Sequence, residues 1–246
     1  MWILMVRESF SQVLTSYFED AGLPLNSRQA DQFTGYKELL VEYNKKVNLT
    51  AITDDAGIAE KHFLDSGLIL KHIDIKKGAK IADIGTGAGF PGIPLKILRP
   101  DLELTLIDSL NKRILFLEQL MSTCGLSANA VHMRGEEAGR LPVYREEFAL
   151  VTARAVAALP ALTEVCLPLV AVGGRFVAMK GTLETVKREL ESAENAVKIL
   201  GGEVEDMISY RLPSDDERTL VVVKKISQTP PKYPRQGVKI SKQPLK

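Results

Sequence analysis

Cysteine is almost missing from this chain: Cys124 and Cys166 are its only two. Two scattered thiols cannot build a disulfide framework, and their spacing matches no metal site. Net charge is nearly absent too, at +1 from 32 basic and 31 acidic residues, so bulk electrostatics announce no nucleic-acid binder. No apolar run approaches the ~20 residues of a spanning helix. The opening segment Met1 to Val6 is too short for a signal-peptide core and has no basic stretch before it. A cytoplasmic protein with no membrane partner is expected, in which the sequon Asn48-Leu49-Thr50 is chemically idle. What remains is ordinary globular material: 246 residues, 45% hydrophobic and 26% charged, enough for one full core with additions.

The charge is unevenly placed. From Lys224 to Lys246 there are seven Lys or Arg residues and no acid. Such an arm can neutralise phosphates with salt-dependent affinity. A merely solubilising tail has the same composition, so both readings stay open.

Periodicity divides the chain into helices followed by alternating strands and helices. Ser9 to Ala21 carries apolar residues at 10, 13, 14, 17 and 18, a helical stripe. Asn26 or Ser27 can cap a second helix striped by Ala30, Phe33, Tyr36 and Leu40. Gly57 to His72 reads as a third, with His62, Asp65 and Ser66 on one face. From Ala79 the pattern predicts strands near 79–82, 102–107, 130–134, 148–154 and 174–180, with helices between them. A charged helix over about 183–200 stops at Gly201-Gly202. Strands 204–212 and 219–226 are joined by a turn too short for a parallel crossover, so they form an antiparallel hairpin. The expectation is an α/β class I methyltransferase (Rossmann-like) fold: a mostly parallel seven-stranded sheet with an antiparallel C-terminal hairpin and an N-terminal helical extension. The corresponding divisions are a helical cap over 1–75, a core over 76–228 and a basic tail over 229–246.

The most informative stretch is Asp83-Ile84-Gly85-Thr86-Gly87-Ala88-Gly89, between two strands, with Asp108 ending the second. A dinucleotide turn uses G-x-G-x-x-G, with the pyrophosphate at a helix N-terminus. Here the glycines alternate at 85, 87 and 89, and an acid precedes the first by two places. That pattern suits S-adenosyl-L-methionine, which has no phosphate but carries a sulfonium and an ammonium. Glycines let backbone approach the methionine part and adopt positive φ. Asp83 can place negative charge near the ammonium, directly or through water, and Asp108 can accept hydrogen bonds from the ribose hydroxyls. The bland alternative is a tight turn with a solvated aspartate; strand, turn, helix, strand and terminal acid in order favour the cofactor.

In a doubly wound sheet ligands sit beyond the strands' carboxyl ends. The candidates there are Gly85 to Phe90, Asp108, Gly135-Glu136, Arg154 and Lys180. Gly135-Glu136 is placed to meet the adenine ring, against a rival reading as a solvated acidic loop. Arg154 ends an apolar strand and must meet an acid, the ligand or a phosphate; a purely structural ion pair is the alternative. Asn111-Lys112-Arg113 is either a phosphate contact or a solvated first turn. After the fourth strand there is no Asn/Asp-Pro-Pro-aromatic tetrad for an exocyclic amine and no Pro-Cys for cytosine-carbon methylation. Cys166 falls in an apolar helical stretch and reads as core. No residue stands out as a general base, which a nucleophile with its own free lone pair would not need.

Taken together, these segments closely resemble the ribosomal RNA small-subunit methyltransferase G family, also called glucose-inhibited division protein B. The likeness is carried by Asn48-Leu49-Thr50, by His62-Phe63-Leu64-Asp65-Ser66, and by Asp83 to Gly89 running into Phe90-Pro91-Gly92-Ile93-Pro94. It continues in Asp108-Ser109-Leu110-Asn111-Lys112-Arg113, Thr152-Ala153-Arg154-Ala155, Met179-Lys180-Gly181 and Tyr233-Pro234-Arg235. The resemblance implies methylation of N7 of a guanine in bacterial 16S ribosomal RNA, free or in a small-subunit particle; a monomer is expected. It also implies cofactor contacts from Gly85, Phe90, Gly135, Glu136 and Arg154, with Arg154 orienting substrate as well. Two other readings remain: a small-molecule methyltransferase on the same fold, and a cofactor-sensing RNA-binding factor without turnover.

Overall fold

The computed structural model describes residues 9–245; the opening apolar segment and Lys246 lie outside the described residues. The chain begins with α1 (Phe10–Asp20), capped by Ser9, and α2 (Ser27–Asn44), capped by Asn26. Each cap exchanges hydrogen bonds with a glutamine three residues on, Gln12 and Gln29, satisfying two backbone donors at once. The third helix, α3 (residues 55–72), starts two residues earlier than its apolar stripe predicts because Asp54 caps it. It is also not a regular α-helix: Ile58–Leu64 winds as a π-helix, and the Asp65 N–H reaches back five residues to Glu60 O. The wider turn buries His62, Asp65 and Ser66 together instead of leaving a polar outer face.

Seven strands form one sheet: β1 (Lys80–Ile84), β2 (Glu103–Asp108), β3 (Asn129–His132), β4 (Phe148–Arg154), β5 (Val170–Lys180), β6 (Gly202–Arg211) and β7 (Glu217–Lys225). Their order is β3-β2-β1-β4-β5-β7-β6. The first five are parallel, and β7 lies antiparallel between β5 and β6. The hairpin expected at the C-terminus is therefore present, with its second strand inserted next to the parallel set. Between them run α4 (Gly92–Leu98), α5 (Asn111–Cys124), α6 (Gly135–Ala138), α7 (Leu159–Cys166) and α8 (Leu183–Ile199); α9 (Gly237–Lys242) follows the sheet. Most predicted bounds move by a residue or two, and two of the shifts change the reading. β3 stops at His132, so Gly135-Glu136 opens a helix rather than ending a strand, and β5 begins at Val170, ahead of Gly173-Gly174.

Each sheet face has its own core. Helices α1 to α5 cover one face through Leu14, Phe18, Phe33, Phe63, Ile93 and Leu117. Helices α7 and α8 cover the other through Leu159, Cys166, Val186 and Val197, joined there by Tyr233 from beyond β7. Cys166 is core, as its surroundings in the sequence suggest. No helix among the described residues is long and apolar enough to cross a membrane. The strand order reverses between β1 and β4, so the turn after Ile84 and the residue ending β4, Arg154, flank the crevice where such sheets take ligands.

Candidate active site

The turn after β1 has the backbone its glycines suggest. Gly85, Gly87 and Gly89 have φ of 63°, 60° and 100°, a region that favours glycine. They serve different ends. A Cβ on Gly85 would sit 2.6 Å from Val156 Cγ2, so only a bare backbone fits under that loop. Gly89 turns inward, where a Cβ would press on Ile93 and Tyr36. Asp83 likewise goes beneath the turn. It is fully buried and accepts hydrogen bonds from Thr86 Oγ1 (2.6 Å), Thr152 Oγ1 (2.9 Å) and Gly92 N (3.1 Å). Burial pushes its carboxyl up to about 6, opposed by those three donors. With three donors on it, the Asp83 carboxylate braces the turn from below.

Two cavities open along the carboxyl edge, and Gly85 is the one residue that lines both. The first, about 290 Å³, is walled by Ile107, Met133, Leu162 and Val165, with Asp108, Gly135 and Glu136 at its polar edge. Glu136 is held by Arg134 Nε at 2.7 Å. A Cβ on Gly135 would meet Val165 at 2.5 Å, which explains a glycine at this helix start. Asp108, 2% exposed, accepts from Gly87 N (2.9 Å), Leu110 N (2.9 Å) and Arg113 Nη1 (3.1 Å). A carboxylate offers about four acceptor positions, so any sugar hydroxyl there shares Asp108 with these donors. Of the alternatives for Asn111 to Arg113, the structure puts Arg113 on Asp108 and leaves Asn111 and Lys112 exposed. Nε of Arg113 is the one buried side-chain nitrogen or oxygen without a partner among the described residues.

The second cavity, about 340 Å³, is polar. Four cations (Lys61, Arg113, Arg154 and Arg218) line it with a single carboxylate, Asp65. Phe90 forms its floor, stacked on His62 (centroids 4.5 Å apart) and on Tyr36 (5.3 Å), with the Arg154 guanidinium 4.7 Å from its ring centre. Arg154 Nη1 donates to Lys61 O (3.0 Å) and Asp65 Oδ2 (3.5 Å). Burial pulls this guanidinium below its usual value, and the Asp65 charge opposes the shift. Asp65 also accepts from Tyr210 OH at 2.7 Å and lies 3.6 Å from Arg218 Nε. The expected acid partner of Arg154 is therefore present, and it lies at a cavity.

The protonation of His62 follows from its neighbours. Arg154 Nη2 lies 3.4 Å from His62 Nδ1, and arginine can only donate. Nδ1 is then the acceptor, and Nε2 carries the proton, donated to Thr50 Oγ1 at 2.7 Å. Burial first, then the Arg154 charge, lowers this imidazole to about 3. His62 is a neutral ring with no spare lone pair. Lys180, another residue of the expected edge, ties down the loop after β4: its Nζ donates to Ala157 O and Glu189, each at 2.8 Å.

Sequence reasoning did not find Tyr36, Tyr210, Arg218 or residues 237–241. Tyr36 reads as one more stripe residue, although a buried phenol needs a partner, and here its hydroxyl bonds Ala88 O. The others reach the site from strands and a tail far along the chain.

This sheet, with its glycine turn and terminal acid flanked by two cavities, defines a class I methyltransferase fold. Solved structures agree at the level of fold. TrmN from Thermus thermophilus superposes with a TM-score of 0.52 at 18% identity, over 75% of this chain and 52% of that one. A SAM-dependent O-methyltransferase from Thermotoga maritima gives 0.50 at 16% identity, over 78% and 73%. More specifically, residues 29–221 match the family model described as rRNA small subunit methyltransferase G, GidB, and the chain belongs to that family. The ribosomal RNA small subunit methyltransferase G of Lactobacillus johnsonii is 49% identical over 245 residues, covering 98% of this chain and 100% of the relative.

Proposed function

We propose that the protein is an S-adenosyl-L-methionine-dependent methyltransferase acting on N7 of a guanine in 16S ribosomal RNA, in the cytoplasm, with rRNA or a small-subunit particle as its partner. The cofactor supplies an electrophilic methyl group on sulfonium. Its purine and sugar fit the first cavity, where an apolar slot ends at a buried carboxylate, Asp108. Gly85 carries the methionine part across to the second cavity, whose four cations suit a phosphate-bearing substrate. Under this reading Gly85, Gly87, Phe90, Asp108, Gly135, Glu136 and Arg154 contact the donor, while Asp83 and Gly89 hold the turn's shape from within.

The observation that carries the choice of nucleophile is the saturation of the would-be bases in the polar cavity. His62 spends its lone pair on Arg154, and Asp65 is occupied by Tyr210, Arg154 and Arg218. An exocyclic amine or a hydroxyl would have to lose a proton on attack; guanine N7 has an in-plane lone pair and loses none. Arg154 donates from the cavity edge and orients the base, and Phe90 gives it an aromatic floor. Rate then comes from alignment and exclusion of water. The target base must be unstacked to enter.

The test is methyl transfer from labelled donor to 16S rRNA lacking the modification, with the modified nucleotide mapped. Label at guanine N7 is expected, and rRNA carrying 7-deazaguanine at the mapped position should accept none. Undiminished transfer to the 7-deaza substrate would remove the proposal.

A further inference from the structure

Seven cations make residues 224–246 look like a free electrostatic arm, yet among the described residues Lys225 and Arg235 are tied into the fold, while Lys224, Lys232, Lys239 and Lys242 are exposed. Lys225 is wholly buried. Arg145 donates to Tyr233 O (2.8 Å) and Thr229 O (2.7 Å), and Arg140 Nε donates to Pro234 O (2.9 Å). Arg235 grips the fully buried Glu164 with Nε (2.9 Å) and Nη2 (2.7 Å), and its Nη2 also holds Gln243 O (2.9 Å). That anchoring delivers Gly237, Ile240 and Ser241 to the wall of the first cavity. Ile240 is 3% exposed. A Cβ on Gly237 would meet Glu136 Oε1, so the tail backbone lies directly against that carboxylate.

We propose that Gly237, Ile240 and Ser241 are donor-binding residues of the methyl-donor site, and that Arg235 on Glu164 is the positioning clamp that holds them there. The inference rests on the reading of this cavity as the donor site. A fork of two charge-assisted bonds fixes the start of α9 in direction as well as place. Ile240 then offers an apolar surface at the cavity, while Lys239 and Lys242 on the same helix stay exposed to solvent.

The test uses the full-length chain and S-adenosylhomocysteine, comparing the parent with Ile240→Ala and Ser241→Trp by calorimetry and methyl-transfer kinetics. Ser241 is exposed, so the tryptophan leaves the fold intact and enters the cavity mouth; an unchanged melting temperature without ligand verifies this. Each variant should weaken binding about tenfold and raise the donor KM by the same factor, with kcat at saturating donor and the KM for rRNA moving less than about twofold. Arg235→Lys, which keeps the charge and loses the fork, should shift donor KM in the same direction. If the parent itself binds no S-adenosylhomocysteine, the donor reading of the cavity fails. If the parent binds and both cavity variants bind equally well, that reading stands and the inference falls. A raised rRNA KM with unchanged donor affinity would make the tail an RNA arm and overturn the inference equally.

Discussion

Two regions of this protein solve the same problem, a cation removed from water, and reach opposite results. At the end of β7, Lys225 is fully enclosed, and its ammonium donates to Leu167 O (2.8 Å), to the Thr229 hydroxyl and to Glu146 (3.2 Å). An ammonium has three donors, so nothing remains to offer a ligand. At the end of β4, Arg154 has a carboxylate partner too, the buried Asp65, but its bonds to Lys61 O, Asp65 and His62 use three of a guanidinium's five N–H groups, and it lines a cavity. Burial of charge does not by itself mark chemistry. Spare hydrogen-bonding capacity at an opening does.

The largest effect that could break this contrast is on catalysis. Arg154→Lys keeps a charge but cannot lie over Phe90 and span Asp65 and Lys61 together. Methyl transfer at saturating substrates should fall by about a hundredfold, in the range expected for misaligned reactants, while the melting temperature barely moves. Rates near the parent's would reduce Arg154 to a structural ion pair. At the other region the effect should be on stability alone. Lys225→Ala should cost about 3 kcal/mol in urea unfolding, because it removes one partner of a buried pair, with kcat unchanged below the melting transition. Lys225→Met leaves Glu146 equally unpaired but refills the volume, so it should lose less, by the cost of the cavity that alanine leaves.

The smallest effect is a pH dependence. Burial lowers the Lys225 ammonium from 10.5 to about 8, against the opposing pull of Glu146. Between about 8 and 10.5 the unfolded chain holds a proton that the folded chain has released, so stability should rise with pH across that window. Lys225→Met should flatten the rise. A slope unchanged by this substitution would show that the ammonium is as well solvated in the fold as out of it.

Legibility followed distance along the chain. The glycine turn, the five parallel strands and the C-terminal hairpin were readable because apolar periodicity and glycine's positive φ are local properties. Asn26 as a cap and Cys166 as core were readable for the same reason. The π-helical turn was not, because its apolar stripe is nearly that of an α-helix; widening the turn lets Asp65 reach Arg154, 89 residues away. The anchoring of the tail was hidden for a related reason. Counting charges cannot reveal that Arg235 meets Glu164, 71 residues earlier.

The sequence by itself determined the sheet, the glycine bend after β1, the acid ending β2 and the strand end that carries Arg154. Tertiary structure alone decided which way Asp83 points, which lone pair of His62 is spent, and which cations keep donors to spare. The physical reason is that a polar group's remaining capacity depends on every acceptor packed around it. Here those partners, donors as well as acceptors, arrive from α3, β6, the loop before β4 and the C-terminal segment, which no local pattern joins.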